Sequence, residues 1–300
     1  MILSPTPKLR RYNLVAARSE RPGMHQTSSE QPPARISHTC SAAAAGIAVR
    51  VALAVALAWQ LGDSPAAAAC TTVDPTHRAW SEIVARRVVD GRVDYAGIRR
   101  DDEAALNAYL TTLSGACGED YAAWPQTDKL AFWLNAYNAY TVRLILDHYP
   151  LGSIRDIGWL PGAAFRMNFI PMIGLRGELI SLDDIEHRVL RAHFNEPRIH
   201  FALVCAARSC PPLREEAYQG AIIDRQLDLQ GRRFLADADK NRVDPAARTL
   251  YLSRIFKWFS ADFTRNGALI SFVAPYLELA PADGAGFSIK YLPYDWSLNE

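Results

Sequence analysis

Three side chains in the segment RIHFALVCAARSCPPLREEAY, residues 198–218, are of types that carry out nucleophilic chemistry. His200 opens an apolar run, and Cys205 and Cys210 follow it within ten residues. A cysteine hydrolase needs a thiolate, a base that takes the thiol proton and a group that orients the base. The segment supplies the first two if Cys210 or Cys205 turns back toward His200.

Candidates for the orienting group lie upstream. Asn135 and Asn138 are three residues apart on one face of a predicted helix, and Glu186 and His187 lie on a later one. The candidate catalytic residues are Cys210, His200, Asn135, Cys205, Glu186 and His187, and the candidate substrate-binding residues are Asn138, Trp133, Tyr137 and Trp159. A simpler account of the two asparagines is that they tie loop backbone to the helix, because an unpaired buried carboxamide costs about 1–3 kcal/mol.

Two classes of function stay open. The first is a cysteine-type hydrolase or transferase acting on amide or peptide-like bonds, with a free thiol near His200. The second is a binding or scaffold domain without catalysis on the same fold. It predicts a Cys205–Cys210 disulfide or an inaccessible thiol, and a pocket lined by Asn135, Trp133, Tyr137 and Trp159. A turn between the two cysteines can bring their Cα atoms within the roughly 4.4–6.8 Å that a disulfide requires.

We predict no metal and no cofactor. Ligand types are present at Asp183, Asp184, Glu186, His187, His193 and His200, but their spacing matches no recognised metal motif. No phosphate-binding glycine loop is visible. A small molecule or a peptide-like ligand is the expected partner.

The charge distribution argues against nucleic acid. The chain holds 33 Lys and Arg and 32 Asp and Glu, of which residues 1–69 contain 7 and 3. Residues 70–300 therefore contain 26 and 29, a net charge of −3. Binding to a phosphate backbone requires a basic surface, which this part of the chain lacks.

Residues 1–69 have the character of a leader with a signal peptide. The uncharged run Val51–Gly62 has 12 residues, too few to span a bilayer, and small residues precede Cys70. We expect the signal peptide to be cleaved near Ala69, and residues 70–300 to form a single domain. We also expect translation to start downstream of Met1, so that residues 1–48 need not be translated. The protein is then exported, periplasmic or secreted, and touches membrane only through the leader or a lipidated Cys70.

Export would leave four of the five cysteines, because Cys40 is lost with the leader. An even number in an oxidising compartment favours disulfides. If Cys70 is not lipidated, we expect it to pair with Cys117, which closes a loop of about 48 residues.

The elements that position these residues form an α+β fold. The run from Leu130 to Val142 has no charged residue, so the helix over residues 128–148 should be central and buried. We expect this helix to pack on an antiparallel sheet that includes residues 199–205. Ser181 and Asp184 form a capping box for the helix that carries Glu186.

Several of these motifs resemble one family. The segments GRVDYAGI, FWLNAYNAYTVRLI, SLDDIEHRVLR, RIHFALVCAARSCPPL, LYLSRIFKWFSADF and YLPYDWSLN are similar, in this order, to DUF547, a domain of unknown function. The resemblance spans Val93 to Asn299 and implies a domain often exported in bacteria, with relatives in plants. It brings no established reaction. The shuffled order of histidine and cysteine also resembles, more distantly, the cysteine-proteinase architecture.

Overall fold

One long helix, Gln126–His148, occupies the centre of the structure. In this computed structural model, which describes residues 70–279 and 286–300, every residue from Leu130 to Leu146 except Arg143 is buried. Phe132, Leu134 and Tyr137 are at most 2% exposed, so the predicted central helix is confirmed. The predicted leader, residues 1–69, lies outside the described residues.

Shorter helices surround the central one. The α-helices are α1 Arg78–Arg87, α2 Tyr95–Gly97, α3 Glu103–Ser114, α4 Gly118–Ala123, α5 Gln126–His148, α6 Ala163–Arg166, α7 Ile173–Arg176, α8 Arg191–His193, α9 Ile199–Ala202, α10 Ile223–Ala236, α11 Ile255–Trp258, α12 Ser260–Phe263 and α13 Leu269–Val273. Two π-helices are Ile98–Asp102 and Asp184–Leu190, and the 3₁₀ turns are Ile154–Asp156, Gly220–Ile222 and Ala274–Tyr276. None of the helices in the described ranges is both long and apolar enough to cross a membrane.

Within the described residues, three small sheets complete the α+β class that the sequence predicts. The strands are β1 Val88–Val89, β2 Arg92–Val93, β3 Ile170–Pro171, β4 Leu179–Ile180, β5 Arg242–Asp244, β6 Thr249–Leu252 and β7 Ser288–Tyr291. β1 and β2 form an antiparallel hairpin, β3 and β4 form another, and the third sheet has the order β5-β6-β7. In that sheet β5 runs antiparallel to β6, and β7 runs parallel to it.

The β1–β2 hairpin shows how local sequence fixes a turn. Asp90 and Gly91 both have positive φ, 52° and 80°. A two-residue hairpin loop with two positive φ angles matches the twist of the strands and favours Asp-Gly. A Cβ atom at Gly91 would lie 2.3 Å from the Cβ of Pro212. Glycine is therefore required here both by the turn and by the chain that packs against it.

Two hydrophobic clusters form the interior. The larger is built around α5, which contacts α3, the π-helix Asp184–Leu190 and the turn Gly220–Ile222. The smaller is rich in phenylalanine and includes Phe201, Phe234, Phe256 and Phe263 together with Leu250 and Leu252 of β6. Phe201 of α9 belongs to the second cluster while its neighbours Ile199 and Ala202 belong to the first. This short helix therefore joins the two.

The predicted strand over residues 199–205 is wrong. Ile199–Ala202 is a short helix, with the backbone N–H of Leu203 donating to the carbonyl of Ile199. Pro197 precedes this turn and accepts a hydrogen bond from the N–H of His200. A short apolar run without alternating polarity fits a buried helix as well as a buried strand, and its length does not decide between them.

Candidate functional site

A cleft of about 180 Å³, called here the site cleft, lies between the two clusters. Six polar side chains line it, together with the disulfide between Cys205 and Cys210 and several apolar side chains. The lining residues are Tyr137, Phe165, Asp183, Glu186, His187, His200, Leu203, Cys205, Cys210, Ile255, Trp258, Phe259, Tyr294 and Trp296. Residues from α5, the π-helix, α9, α11 and the C-terminal segment thus meet at one place.

His200, on α9, is the buried centre of the polar groups. Its Nε2 lies 2.8 Å from Oδ2 of Asp262, and its ring stacks on Phe259 at a centroid distance of 3.9 Å. Burial lowers the pKa of His200 to about 4, against the opposing effect of Asp262. The ring is therefore neutral at pH 7. Because an ionised carboxylate only accepts, the proton of this ring is on Nε2, and Nδ1 carries a free lone pair.

Glu186, on the π-helix Asp184–Leu190, faces that lone pair. Its Oε1 lies 3.6 Å from Nδ1 of His200, slightly beyond a direct hydrogen bond. Burial, together with the nearby charge of Asp183, raises the pKa of Glu186 to about 7. A buried carboxyl with such a pKa can both give and take a proton near neutral pH. The capping box that begins this helical segment is present, since Asp184 accepts from the Ser181 hydroxyl and backbone N–H.

Asp262, on α12, holds the other side of His200 in place. Nε of Arg191 lies 2.6 Å from Oδ2 of Asp262, and Arg265 also contacts this carboxylate. Burial alone would raise the pKa of Asp262, but the hydrogen bonds from Arg191 and His200 lower it. The carboxylate is therefore ionised. Arg191 also donates to Nδ1 of His187, whose pKa burial lowers, so His187 is an acceptor in this network.

Cys205 and Cys210 form a disulfide in the site cleft, with their Cα atoms 6.2 Å apart. Cys205 is partly exposed, whereas Cys210 is buried. The backbone N–H of Cys205 donates to the Cys210 sulfur over 3.0 Å. The Tyr294 hydroxyl lies 3.2 Å from the Cys210 sulfur and 3.3 Å from that of Cys205. The two sulfurs, one phenol and the acid–base groups therefore share one cavity.

The structure brings together most of the candidate catalytic residues predicted from the sequence. Those that line the site cleft are Cys205, Cys210, His200, Glu186, His187 and the candidate binding residue Tyr137. Four others lie elsewhere. Trp133 donates to the hydroxyl of Tyr121 and lines a different hollow, and Trp159 is fully exposed.

Asn135 and Asn138 fit the simpler account of their role. Asn135 donates to the Tyr218 carbonyl and accepts from the Tyr218 N–H, so it has no part in orienting His200. Asn138 donates to the carbonyl of Ala202 and accepts from the N–H of Val204. Each carboxamide replaces the missing backbone partners of an irregular segment, which is why both tolerate complete burial.

The sequence does not predict the contacts of Asp262 and Tyr294. Nor does it predict the aromatic walls of the cleft, formed by Phe165, Trp258, Phe259 and Trp296. Asp262 is the one acidic residue in the aromatic segment FKWFSADF, a pattern that suggests a buried carboxylate with a specific partner. Tyr294 belongs to the motif YLPYDWSLN, but nothing in its spacing indicates a contact with the cysteines.

Within residues 70–279 and 286–300, no group of three or more His, Cys, Asp or Glu side chains is arranged to hold a metal ion.

Fold and site together define an α+β domain with a disulfide and a buried acid–base pair in one cleft. Residues 121–235 match the model of the family described as "Protein of unknown function, DUF547". This part of the chain is therefore similar to the DUF547 family. The matched residues include Glu186, His200 and both cysteines, whereas Asp262 and Tyr294 lie downstream of them. Searches of curated proteins and of solved structures gave no match.

Proposed function

We propose that this domain is an exported cysteine-dependent hydrolase or transferase that acts on amide or peptide-like bonds when its Cys205–Cys210 pair is in the dithiol state. The observation that carries the proposal is the shared cavity. Both sulfurs, the carboxyl of Glu186 and the imidazole of His200 line the same cleft of about 180 Å³. Nucleophile, base and orienting group are the three parts that this chemistry requires.

Cys205 is the nucleophile in this proposal, because it is the more exposed of the two. Its thiol gives its proton to the ionised carboxyl of Glu186, and the thiolate attacks the carbonyl carbon of the substrate. Glu186 then returns the proton to the leaving amine as the carbon–nitrogen bond breaks. Water, or an acceptor amine in a transferase, attacks the thioester and releases Cys205.

His200 and Asp262 are positioning residues in this scheme. Asp262 fixes the proton of His200 on Nε2, which leaves Nδ1 as an acceptor directed at Glu186. The neutral ring keeps a hydrogen-bond acceptor beside Glu186 without adding a positive charge that would lower its pKa. The pKa of Glu186 therefore stays close to the working pH, where a general base is most effective.

The walls of the cleft indicate the kind of group that it accepts. Phe165, Trp258, Phe259 and Trp296 line it with aromatic surface. Its volume of about 180 Å³ holds a group of the size of one large side chain. An apolar or aromatic side chain next to the scissile amide bond is therefore the proposed specificity element.

Export is supported by the oxidation state of the cysteines. The structure contains two disulfides, Cys70–Cys117 and Cys205–Cys210. Disulfides persist in oxidising compartments and are rare in the cytosol. Together with the leader character of residues 1–69, this supports a periplasmic or secreted protein.

The test is turnover by the full chain with and without dithiothreitol. The probes are peptide p-nitroanilides that carry an aromatic, an aliphatic or a charged side chain before the anilide. We expect release of nitroaniline after reduction only, fastest with the aromatic probe, and a rate that rises through about pH 7 as Glu186 ionises. Mass spectrometry should find the acyl group on Cys205.

Matched variants distinguish the proposed roles. Cys205→Ser should abolish turnover, and Glu186→Gln should lower it by about 10²–10⁴-fold, the usual contribution of a general base. Glu178→Gln, an exposed carboxyl, is the control and should leave the rate unchanged. A reduced chain that binds these peptides but forms no acyl adduct and releases no nitroaniline would contradict the proposal and indicate a binding domain.

A further inference from the structure

We propose a second activity for the same cleft: thiol–disulfide exchange, in which an external thiol attacks Cys205 and Cys210 is the leaving group. The activity goes beyond amide-bond chemistry and needs no acyl substrate. Its co-reactant is a thiol, either two molecules of a small one or one dithiol. The surroundings of the two sulfurs carry the inference.

The two sulfurs differ in access. Cys205 is partly exposed in the site cleft, whereas only 2% of the surface of Cys210 is exposed. Thiolate attack requires an approach to the sulfur that is to form the new bond. The first new bond therefore forms at Cys205.

The two sulfurs also differ in their hydrogen bonds. The difference favours Cys210 as the leaving group, which agrees with attack at Cys205. The Cys210 sulfur accepts from the backbone N–H of Cys205 over 3.0 Å, and this donor distinguishes the two sulfurs. The Tyr294 hydroxyl lies 3.2 Å from the Cys210 sulfur and 3.3 Å from that of Cys205, close enough to donate to Cys210 as it leaves. A leaving thiol departs faster when its thiolate is stabilised. Burial raises the pKa of Tyr294, so its hydroxyl keeps the proton that it donates. Both donors are in place before the sulfur–sulfur bond breaks.

The chain on either side of the pair is held without the disulfide. Before Cys205, Asn138 binds the carbonyl of Ala202 and the N–H of Val204. After it, the loop to Cys210 is held by four backbone hydrogen bonds, three of which join it to the C-terminal segment. These run from Arg208 N–H to Ser297, Ser209 N–H to Asp295, Asn299 N–H to Ala206 and Cys210 N–H to Ala207 within the loop itself. Reduction therefore leaves the two thiols close together, and oxidation can re-form the bond.

The exchange balances as two substitutions. A thiolate attacks the Cys205 sulfur, the Cys205–Cys210 bond breaks, and its electron pair goes to the Cys210 sulfur. A second thiolate then attacks the first thiol's sulfur in the mixed disulfide and releases Cys205 as a thiolate. The pair is reduced by two electrons, and the two external thiols are oxidised to their disulfide. The Cys210 thiolate can take a proton from water that enters the cleft.

The exchange also determines whether the nucleophile of the proposed hydrolase exists, but it is measured without any acyl substrate. Exchange without nitroaniline release would overturn the hydrolase only. If the chain releases nitroaniline but external thiols do not attack Cys205 in preference to Cys210, only the exchange inference is overturned. The two proposals therefore fail separately.

The experiment uses the full chain with Cys70→Ser and Cys117→Ser, so that one disulfide of the described residues remains. The oxidised protein is mixed with reduced glutathione or with dithiothreitol in the absence of denaturant, quenched with iodoacetamide and mapped by mass spectrometry. We expect both reductants to open the pair, and early quenching to find glutathione on Cys205. Cys210→Ser, mixed instead with oxidised glutathione, should form a mixed disulfide at Cys205 and release one reduced glutathione.

Tyr294→Phe tests the leaving-group role. We expect the rate of opening to fall by about fivefold or more, and the pH midpoint for alkylation of the reduced Cys210 thiol to move upward. A merely structural role would change neither the midpoint nor the site of attack. Tyr291→Phe, in β7, is the matched control and should leave both unchanged. A pair that resists both reductants in the native protein, glutathione on Cys210, or a Tyr294→Phe rate equal to that of the parent would overturn the inference.

Discussion

Glu186 and His200 face each other at 3.6 Å with pKa values displaced in opposite directions by the same cause. Burial disfavours the charged form of each, which raises the pKa of Glu186 to about 7 and lowers that of His200 to about 4. In water the imidazole would hold a proton more firmly than the carboxyl. In this cleft the order is reversed, so the proton available at neutral pH belongs to the carboxyl.

The first prediction is that Glu186→Gln stabilises the protein increasingly as the pH rises. A carboxyl whose pKa is raised on folding favours the folded state below its unfolded value, 4.5, and loses that contribution as the pH rises through about 7. Above pH 7 the buried charge costs about 3 kcal/mol. The variant avoids this cost, so its advantage over the parent should grow between pH 4.5 and 7.

Urea denaturation at pH 5, 6, 7 and 8 measures this difference. The parent curve alone does not, because His200 has the opposite dependence: its lowered pKa adds stability as the pH rises from about 4 to 6.5. Subtracting the variant from the parent isolates Glu186. The exposed substitution Glu178→Gln should give a flat difference, and a flat difference for Glu186→Gln would show that the carboxyl is ionised without cost.

A second prediction concerns Asp262. Asp262→Asn should destabilise the protein by about 2–4 kcal/mol, because Arg191 loses a buried charged partner. It should also lower the pKa of Glu186, since the charge of Asp262 contributes to raising it. Denaturation and a carboxyl titration by NMR measure the two effects. Asp239→Asn, at an exposed carboxyl, should change stability by less than about 0.5 kcal/mol.

At the scale of elements, α5 acts as a frame from which two carboxamides hold the chain that follows. The third prediction is that Asn135→Ala and Asn138→Ala each destabilise the fold by about 2–4 kcal/mol, since each leaves one buried N–H and one buried carbonyl unpaired. Only Asn138→Ala should change the reactivity of the cysteine pair, because Asn138 binds the backbone just before Cys205. Denaturation and glutathione exchange, measured side by side, test this. Equal exchange rates in the two variants would contradict it.

A helix or strand can be predicted from the sequence when its hydrophobic pattern extends over enough residues. The 23-residue helix α5 is predictable because its charge-free run from Leu130 to Val142 is too long for a buried strand and indicates a buried helix. The four-residue helix α9 is not, since the run from Ile199 to Ala202 is too short for its pattern to distinguish a helix from a strand. The short strands β3 and β4 lie in FRMNFIPMIGLRGELISL, residues 165–182, whose partly alternating polarity is typical of strands.

The site shows the same limit. The proximity of Cys205, Cys210 and His200 can be predicted from the sequence because they lie within eleven residues. Asp262 reaches His200 and Tyr294 reaches Cys210 from segments 62 and 84 residues away, through packing that no local sequence pattern indicates. The burial of Asn135 indicates that its carboxamide has a partner, and that partner is the backbone of Tyr218 and not His200. Burial of a polar residue predicts that a partner exists and not which one it is.

At the scale of the whole molecule, two disulfides play different parts. Cys70–Cys117, predicted from the cysteine count, joins the start of the described chain to the segment after α3, with Cα atoms 5.4 Å apart. Cys205–Cys210 closes a short loop that backbone hydrogen bonds already hold. The first constrains a long stretch of chain, and the second adds little constraint and lies in the cleft.

The last prediction follows from the lengths of these two loops. The cysteines are 47 and 5 residues apart, and the chain-entropy model gives about 4 kcal/mol of stabilisation for the longer loop and about 2 kcal/mol for the shorter one. The pair of changes Cys70→Ser and Cys117→Ser should therefore cost about 2 kcal/mol more than Cys205→Ser with Cys210→Ser. Urea denaturation of both double variants at one pH measures this. If the Cys205–Cys210 double variant is the less stable of the two, the predicted order of the two stability losses is wrong. The disulfide in the cleft is then a structural support, and its proposed reversible exchange would have to be abandoned.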